Sequence, residues 1–307
     1  MDDRKALDAP AMSLMVVLCL IWGLQQVVLK VAADDVTPLL QIALRSAIAA
    51  LLVGLLMWRR GERMTADTRW PGLVVGVLFG LEFLCLGESL RFTTASHAVV
   101  FLYTAPVFVA LGLHWKLPEE RLAPLQWLGV ALAFGGMALT FLGRDGAAPD
   151  GSAAPLLWGD CLALLGGIAW AATTVAVRVT RLSSAPATLT LLYQLLGGFL
   201  LLLPAAAALG QLHFNPTPVA WGSLLFHGLV VSFASYLAWF WLLRKYLASR
   251  LGVFSFLTPL FGVGFGVWLL GEPLETNFLC GALLVCGGIV LVSGHTWFAV
   301  RMKRYLT

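Results

Sequence analysis

Charge is what this 307-residue sequence has least of. Only 12% of its residues are Asp, Glu, Lys or Arg, against about 25% in an ordinary soluble domain, so a water-facing globular surface is excluded. Reaction motifs are missing too. Without a GxxxxGK[ST] phosphate loop, nucleotide-driven pumping within the chain is excluded. Nothing matches HExxH, GxSxG or a pair of intramembrane aspartates, so no zinc hydrolase or serine nucleophile is indicated. The five cysteines (Cys19, Cys85, Cys161, Cys280, Cys286) form no CxxC pair and have no adjacent His. They are expected to pack as small apolar residues, with no disulfide framework and no metal site. A formal charge of +4 calls for no nucleic-acid partner, and no cofactor is implied.

Apolar length is what the sequence has in abundance. It is 60% hydrophobic, with a mean hydropathy of +0.87. Ten apolar runs can be drawn, at roughly 11–33, 37–58, 70–90, 95–115, 122–143, 156–178, 187–210, 219–243, 251–271 and 276–298, near the ~20 residues that cross a hydrocarbon core. They lack the period-2 alternation of barrel strands, so helices must satisfy their backbones in lipid. The expected fold is an all-α membrane protein of ten transmembrane helices, with the lipid bilayer as its surrounding partner.

The chain also repeats itself. Leu90–Pro106 aligns without a gap on Leu243–Pro259, with identities at Arg91/Arg244, Ala95/Ala248, Ser96/Ser249, Val100/Val253, Phe101/Phe254 and Pro106/Pro259. The match runs on to Trp115/Trp268 and Glu119/Glu272. Upstream, Trp22, Val27, Lys30, Val31 and Pro38 fall on Trp170, Val175, Arg178, Val179 and Pro186. The first run is too long for a signal-peptide core, and its counterpart around Trp170 lies mid-chain where no signal could act.

Cations sort by loop. With a cytoplasmic N-terminus, sixteen Lys and Arg fall on inner segments and three (Lys30, Arg91, Arg144) on outer ones, while Arg45 lies within a helix. Both termini are therefore expected in the cytoplasm of a multi-pass plasma (inner) membrane protein. Five helices per half is an odd number, so the second half must enter from the opposite side, giving two inverted-topology five-helix repeats. The Gly-, Ala- and Pro-rich stretch 143–155 reads as their linker, with repeats at 1–146 and 147–307.

Both Leu90–Gly136 and Leu243–Gly288 carry an Ala-Ser pair, a mid-helix proline ten residues on, a glutamate after the helix and then a glycine-punctuated helix. This resembles the EamA repeat of the drug/metabolite transporter superfamily, over nearly the whole chain. Trp22-Gly23, Lys30, Pro38, Arg45 and Gly271-Glu272 also sit where that family has such residues. The resemblance implies a secondary transporter of small organic metabolites, and its general look is similar to the aromatic amino-acid exporter branch.

Several residues are candidates for a site. Glu82 lies near the middle of helix 3, where an ionised carboxylate is costly unless hydrated or paired. It would bind a substrate amine or carry a proton, or else serve as a hydrogen-bonding strut. Trp22, Gln26 and Lys30 are spaced i, i+4, i+8 and share one helix face, as do Trp170, Thr174 and Arg178. The tryptophans, with Gln25, Gln26, Thr174 and Tyr103, form a candidate substrate-binding set in which aromatic faces and amide donors suit a planar ring or organic cation; core packing is the alternative. Lys30 and Arg178 are expected to snorkel to opposite interfaces. Arg45 is expected to be architectural, partnered by Glu88, Asp160 or backbone carbonyls, and Glu88 to pair with Arg91 or Arg45. His97 and His227 are expected as satisfied interface histidines. Pro106 and Pro259 each remove a helix hydrogen bond, at the carbonyls of Leu102 and Ser255, and are candidate hinges. The glycine stripe Gly72, Gly76, Gly80 is expected to serve static packing.

Amino-acid export and multidrug or organic-cation export remain open alternatives on the sequence, with an intramembrane enzyme or a non-transporting scaffold as rivals of another class. Protons are a candidate coupling ion, and the assembly is a monomer or a homodimer.

Overall fold

A computed structural model describes residues 7–93, 95–141, 153–271 and 276–305. The linker region 142–152 and the aligned Glu272 fall outside them. The chain is helical almost throughout: α1 Ala9–Val31, α2 Pro38–Arg60, α3 Ala66–Ser89, α4 Ala95–Leu102, α5 Ala105–Lys116, α6 Pro124–Phe141, α7 Ala153–Val179, α8 Ala187–Ala208, α9 Pro218–Leu225, a π-helical segment Phe226–Ser235, α10 Tyr236–Lys245, α11 Ala248–Phe254, α12 Leu257–Leu270 and α13 Thr276–Tyr305. Among the described residues, nine helical stretches are long and apolar enough to cross a membrane, and Pro124–Thr140 is an apolar helix of shorter length.

Local chemistry sets the ends of these helices. Asp8 caps α1 by accepting from the Ala11 amide at 3.0 Å, with Pro10 in the first turn. Gly61 ends α2 at φ 66°, a left-handed cap that a Cβ would strain.

The two matched prolines follow irregular turns in their helices. The regular α pattern is interrupted between α4 and α5, at Tyr103 and Thr104, and again between α11 and α12, at Ser255 and Phe256, while Thr104, Ser255 and Phe256 keep right-handed helical dihedrals. Each break lies within one turn before its proline, where the lost amide and the ring clash make a continuous helix most expensive. Short i→i−3 bonds fill the gaps, from Thr104 N to Phe101 O at 3.2 Å and from Ser255 N to Gly252 O at 3.0 Å.

Interhelix contacts pair α6 with α13, α2 with α8 and α5 with α11. Others come in twos: α3 with α7 and α1 with the π segment, α3 with α8 and α2 with the π segment, α5 with α7 and α1 with α12. Small residues let these helices close up. A Cβ on Gly76 would sit 2.6 Å from the Tyr193 carbonyl of α8, and one on Gly129 would sit 2.7 Å from the Gly288 carbonyl of α13. The Gly72, Gly76, Gly80 stripe thus seats α3 directly on α8.

Hydrogen bonds between loops define two ends of the bundle. At one, Tyr246 Oη donates to Asp8 at 2.9 and 3.0 Å, and Thr188 donates to Glu62. At the other, Thr37 donates to the Gln211 carbonyl at 2.6 Å, Thr217 donates to Asp35 at 2.7 Å, and Val36 bridges Phe214. The first end carries Arg59, Arg60, Lys116, Arg244 and Lys245 and is called the basic end. Exposed tryptophans ring both, with Trp58, Trp70 and Trp115 towards the basic end and Trp158, Trp221 and Trp268 towards the other.

Candidate functional site

A cavity of about 130 Å³ lies in the interior of the bundle. All seven sequence candidates for substrate contact line it: Trp22, Gln25, Gln26, Glu82, Tyr103, Trp170 and Thr174. They come from α1, α3, the break after α4, and α7, so residues distant in sequence converge on one space.

Each wall has a physical support. Trp22 is fixed by a hydrogen bond from its Nε1 to Ser235 Oγ at 2.9 Å, and its ring stands edge-on to Trp239 at 5.9 Å and Tyr236 at 6.4 Å. On the opposite repeat position, Trp170 meets Tyr103 edge-to-face at 5.4 Å and 89°. Tyr103 reaches the cavity from the irregular turn after α4. Gln26 is exposed, whereas Thr174 is buried and donates back to the Trp170 carbonyl at 3.3 Å.

Glu82 is 9% exposed and faces the same space. Among the described residues no side chain or amide hydrogen-bonds its carboxyl. Its carboxyl belongs to the cavity wall. A carboxyl in such surroundings needs a cationic or hydrogen-bonding ligand, a proton, or water.

Arg45 departs from expectation. Neither Glu88 nor Asp160 is its partner. Its Nη1 donates to Gln25 Oε1 at 3.0 Å, its Nη2 approaches Tyr236 Oη at 3.3 Å, and its Cζ lies 5.1 Å from the Phe83 ring centroid. The buried guanidinium therefore orients two lining residues from behind the wall. The two acids are engaged elsewhere. Arg91 donates to Glu88 at 2.7 Å, and Asp160 accepts from Thr93 at 2.6 Å and faces His97 Nδ1 at 3.2 Å.

Two other expectations fail on burial. Arg178 does not snorkel: it is buried against Glu120, because a carboxylate from a distant loop reaches it before solvent does. Lys30 is exposed at the end of α1. His227 is not an interface residue but fully buried, with Nδ1 donating to the Ser223 carbonyl at 2.8 Å. Of the cysteines only Cys19 is buried in the core, while Cys161, Cys280 and Cys286 are exposed on the outside of the bundle and all five are free.

Half of the wall had not been anticipated. Phe79, Phe83, Gln194, Tyr236, Trp239 and Phe240 also line the cavity. The run Tyr236–Trp241, four aromatics in six residues, was the available signal. It follows a π-helical segment whose wider turn rotates the residues after it relative to a regular helix, which a 3.6-residue period does not anticipate.

Comparison with known proteins gives a consistent picture. The model of the EamA-like transporter family matches this chain twice, over residues 9–142 and 157–294. An uncharacterized transporter of Archaeoglobus fulgidus is 28% identical, over 91% of this chain and 96% of its own length. An uncharacterized transporter of Bacillus subtilis is 26% identical, with coverage of 89% and 92%. A probable amino-acid metabolite efflux pump of Salmonella typhimurium is 27% identical, with coverage of 95% and 96%. One crystal structure superposes with a TM-score of 0.78 at 20% identity, covering 92% of this chain and 98% of the other, and so shares the fold.

Proposed function

This chain belongs to the EamA-like transporter family, and from that premise we propose that it is a secondary transporter exporting small organic metabolites, amino acids including aromatic ones foremost. The observation that carries the reading is the central cavity, in which Glu82 is the charged lining residue amid Trp22, Tyr103, Trp170 and Trp239. An ammonium group pairs with Glu82, a ring stacks between the aromatic walls, and Gln25, Gln26 and Thr174 offer hydrogen bonds to the remaining polar atoms. The Salmonella relative's name, an amino-acid metabolite efflux pump, favours the same class. One acid among aromatic faces also suits an organic cation without a carboxylate, so multidrug export is the second reading.

The transport cycle in this proposal is alternating access between two inverted five-helix halves, 1–146 and 147–307, ten helices in all. Three observations support it. The family model matches each half separately. The main helix contacts either pair equivalent helices, as α6 with α13, or occur in twos that exchange when the halves are swapped, as α5 with α7 and α1 with α12. The broken helices α4–α5 and α11–α12 occupy equivalent places, which fits Pro106 and Pro259 as hinges. The cation bias puts the basic end and both termini on the cytoplasmic side of the plasma (inner) membrane. Protons are the candidate coupling ion, with Glu82 as carrier.

The deciding measurement is flux into proteoliposomes, with aromatic amino acids competed against quaternary ammonium compounds. Uptake of labelled amino acid that a cation fails to inhibit is expected. The reverse ranking would establish the second reading, and no flux of either class would refute transport of both.

A further inference from the structure

Directly beneath the cavity lies a charge cluster that the substrate site does not use. Glu120, in the turn after α5, has a fully buried side chain, as does Arg178 at the end of α7. Arg178 Nε donates to Glu120 Oε1 at 2.8 Å, and its Nη2 donates to the same oxygen. The other donors come from the start of α11: the Ala248 amide at 3.0 Å, the Ser249 amide at 3.0 Å and Ser249 Oγ at 2.7 Å. One carboxylate thus ties three separate segments at the basic end. Its negative charge also meets the amides of a helix start, where it is most favourable.

Position gives the cluster its meaning. Val177 lines the cavity floor, and Arg178 is the next residue. A crevice of only about 10 Å³ continues below, sharing Val177 and Phe240 with the cavity and lined further by Arg178, Thr190, Leu243 and Arg244. Free space between the cavity and the basic end thus narrows to this crevice at the level of Arg178. The segment that Glu120 grips, α11, leads into the irregular turn at Ser255 and Phe256, so it is joined to the rest of its span by short i→i−3 hydrogen bonds ahead of Pro259. At the repeat-equivalent positions of the other end, Lys30 and Ala95 are exposed where Arg178 and Ala248 are buried.

We propose that Glu120, Arg178 and Ser249 form the latch of the gate at the basic end, holding α11 against α7 while the cavity is sealed from that side, and releasing it when α11 swings about its break. These are positioning residues for the transport cycle and do not touch the transported molecule. Burial makes the latch two-state. The desolvated ion pair is stable only with all its donors in place, so partial opening is penalised and the gate is either fully tied or hydrated and free.

The proposal rests on the alternating-access reading, and its test is kept independent of flux. In a background with the five native cysteines replaced, Thr173→Cys puts a thiol on the cavity wall, and an impermeant maleimide is offered from each face of membrane vesicles. The relevant face is the one from which Arg63→Cys labels. Replacing Glu120 alone would take the carboxylate from a buried guanidinium, so the working variant is Glu120→Gln with Arg178→Gln. We expect labelling of Thr173→Cys from that face to rise about tenfold, as loss of a charge-assisted tie from the closed state requires. Ser249→Ala, which removes one hydrogen bond and no charge, is expected to give a smaller rise in the same direction and serves if the double variant does not fold. Unchanged labelling from that face in the folded double variant, or in Ser249→Ala where that is the only one folded, overturns the latch. Absence of substrate flux with altered labelling would count against the transport reading alone.

Discussion

Glu82 and Glu120 are both buried acids, yet the chain treats them in opposite ways. Glu120 receives five hydrogen bonds from Arg178, Ala248 and Ser249, so its charge is neutralised by the protein itself. Glu82 faces the cavity and receives none from the described residues. Glu82→Gln keeps the shape and removes the charge. Transport is expected to fall about 10- to 100-fold, or to lose its pH dependence, with normal insertion and folding, because one charge-assisted hydrogen bond of ~1.5–3 kcal/mol is lost. Parent-like flux across pH 5 to 8 would return the site to the aromatic walls alone. Glu82 was legible in the sequence because an acid amid apolar residues stands out. Glu120 was not, since it sits beside Glu119 in the charged turn PEER and looks like any solvated loop acid until Arg178 and α11 close over it.

At the scale of elements, the helix limits were mostly legible, because apolar length and proline or glycine punctuation are local properties. What periodicity could not supply was the interruption of a span. Pro106 and Pro259 predicted kinks, and each follows a tightened, still right-handed turn within its span, with Tyr103 in the first of them at the cavity edge. The π segment gave no local signal, since its wide turn is a tertiary outcome. Pro259→Ala returns an amide that can bond the Ser255 carbonyl, a gain of about 0.5–1.5 kcal/mol for a continuous helix. We expect near-normal expression and substrate affinity but slower turnover, measured as a fall in maximal flux at unchanged half-saturation. Unaltered turnover would reduce this proline to packing. Pro106→Ala should give a related but unequal defect, since the turn at Tyr103 also shapes the cavity.

For the whole molecule, the cation bias and the loop hydrogen bonds make one statement about sidedness. A cysteine at Pro216, in the loop that pairs with Asp35 and Thr37, should react with an impermeant thiol reagent from outside intact cells, and one at Arg63 should not. The opposite pattern would overturn the orientation and with it the inverted pairing. The two rings of exposed tryptophan have a consequence of a different kind. Indole rings settle at the level of lipid headgroups, so Trp58, Trp70 and Trp115 on one side and Trp158, Trp221 and Trp268 on the other fix a preferred membrane thickness. Lipids with longer acyl tails would pull one ring below its headgroups, a mismatch costing fractions of a kcal/mol per Å. The turnover of the reconstituted protein should accordingly peak at one tail length and fall on either side of it, which makes this chain a gauge of the bilayer in which it works.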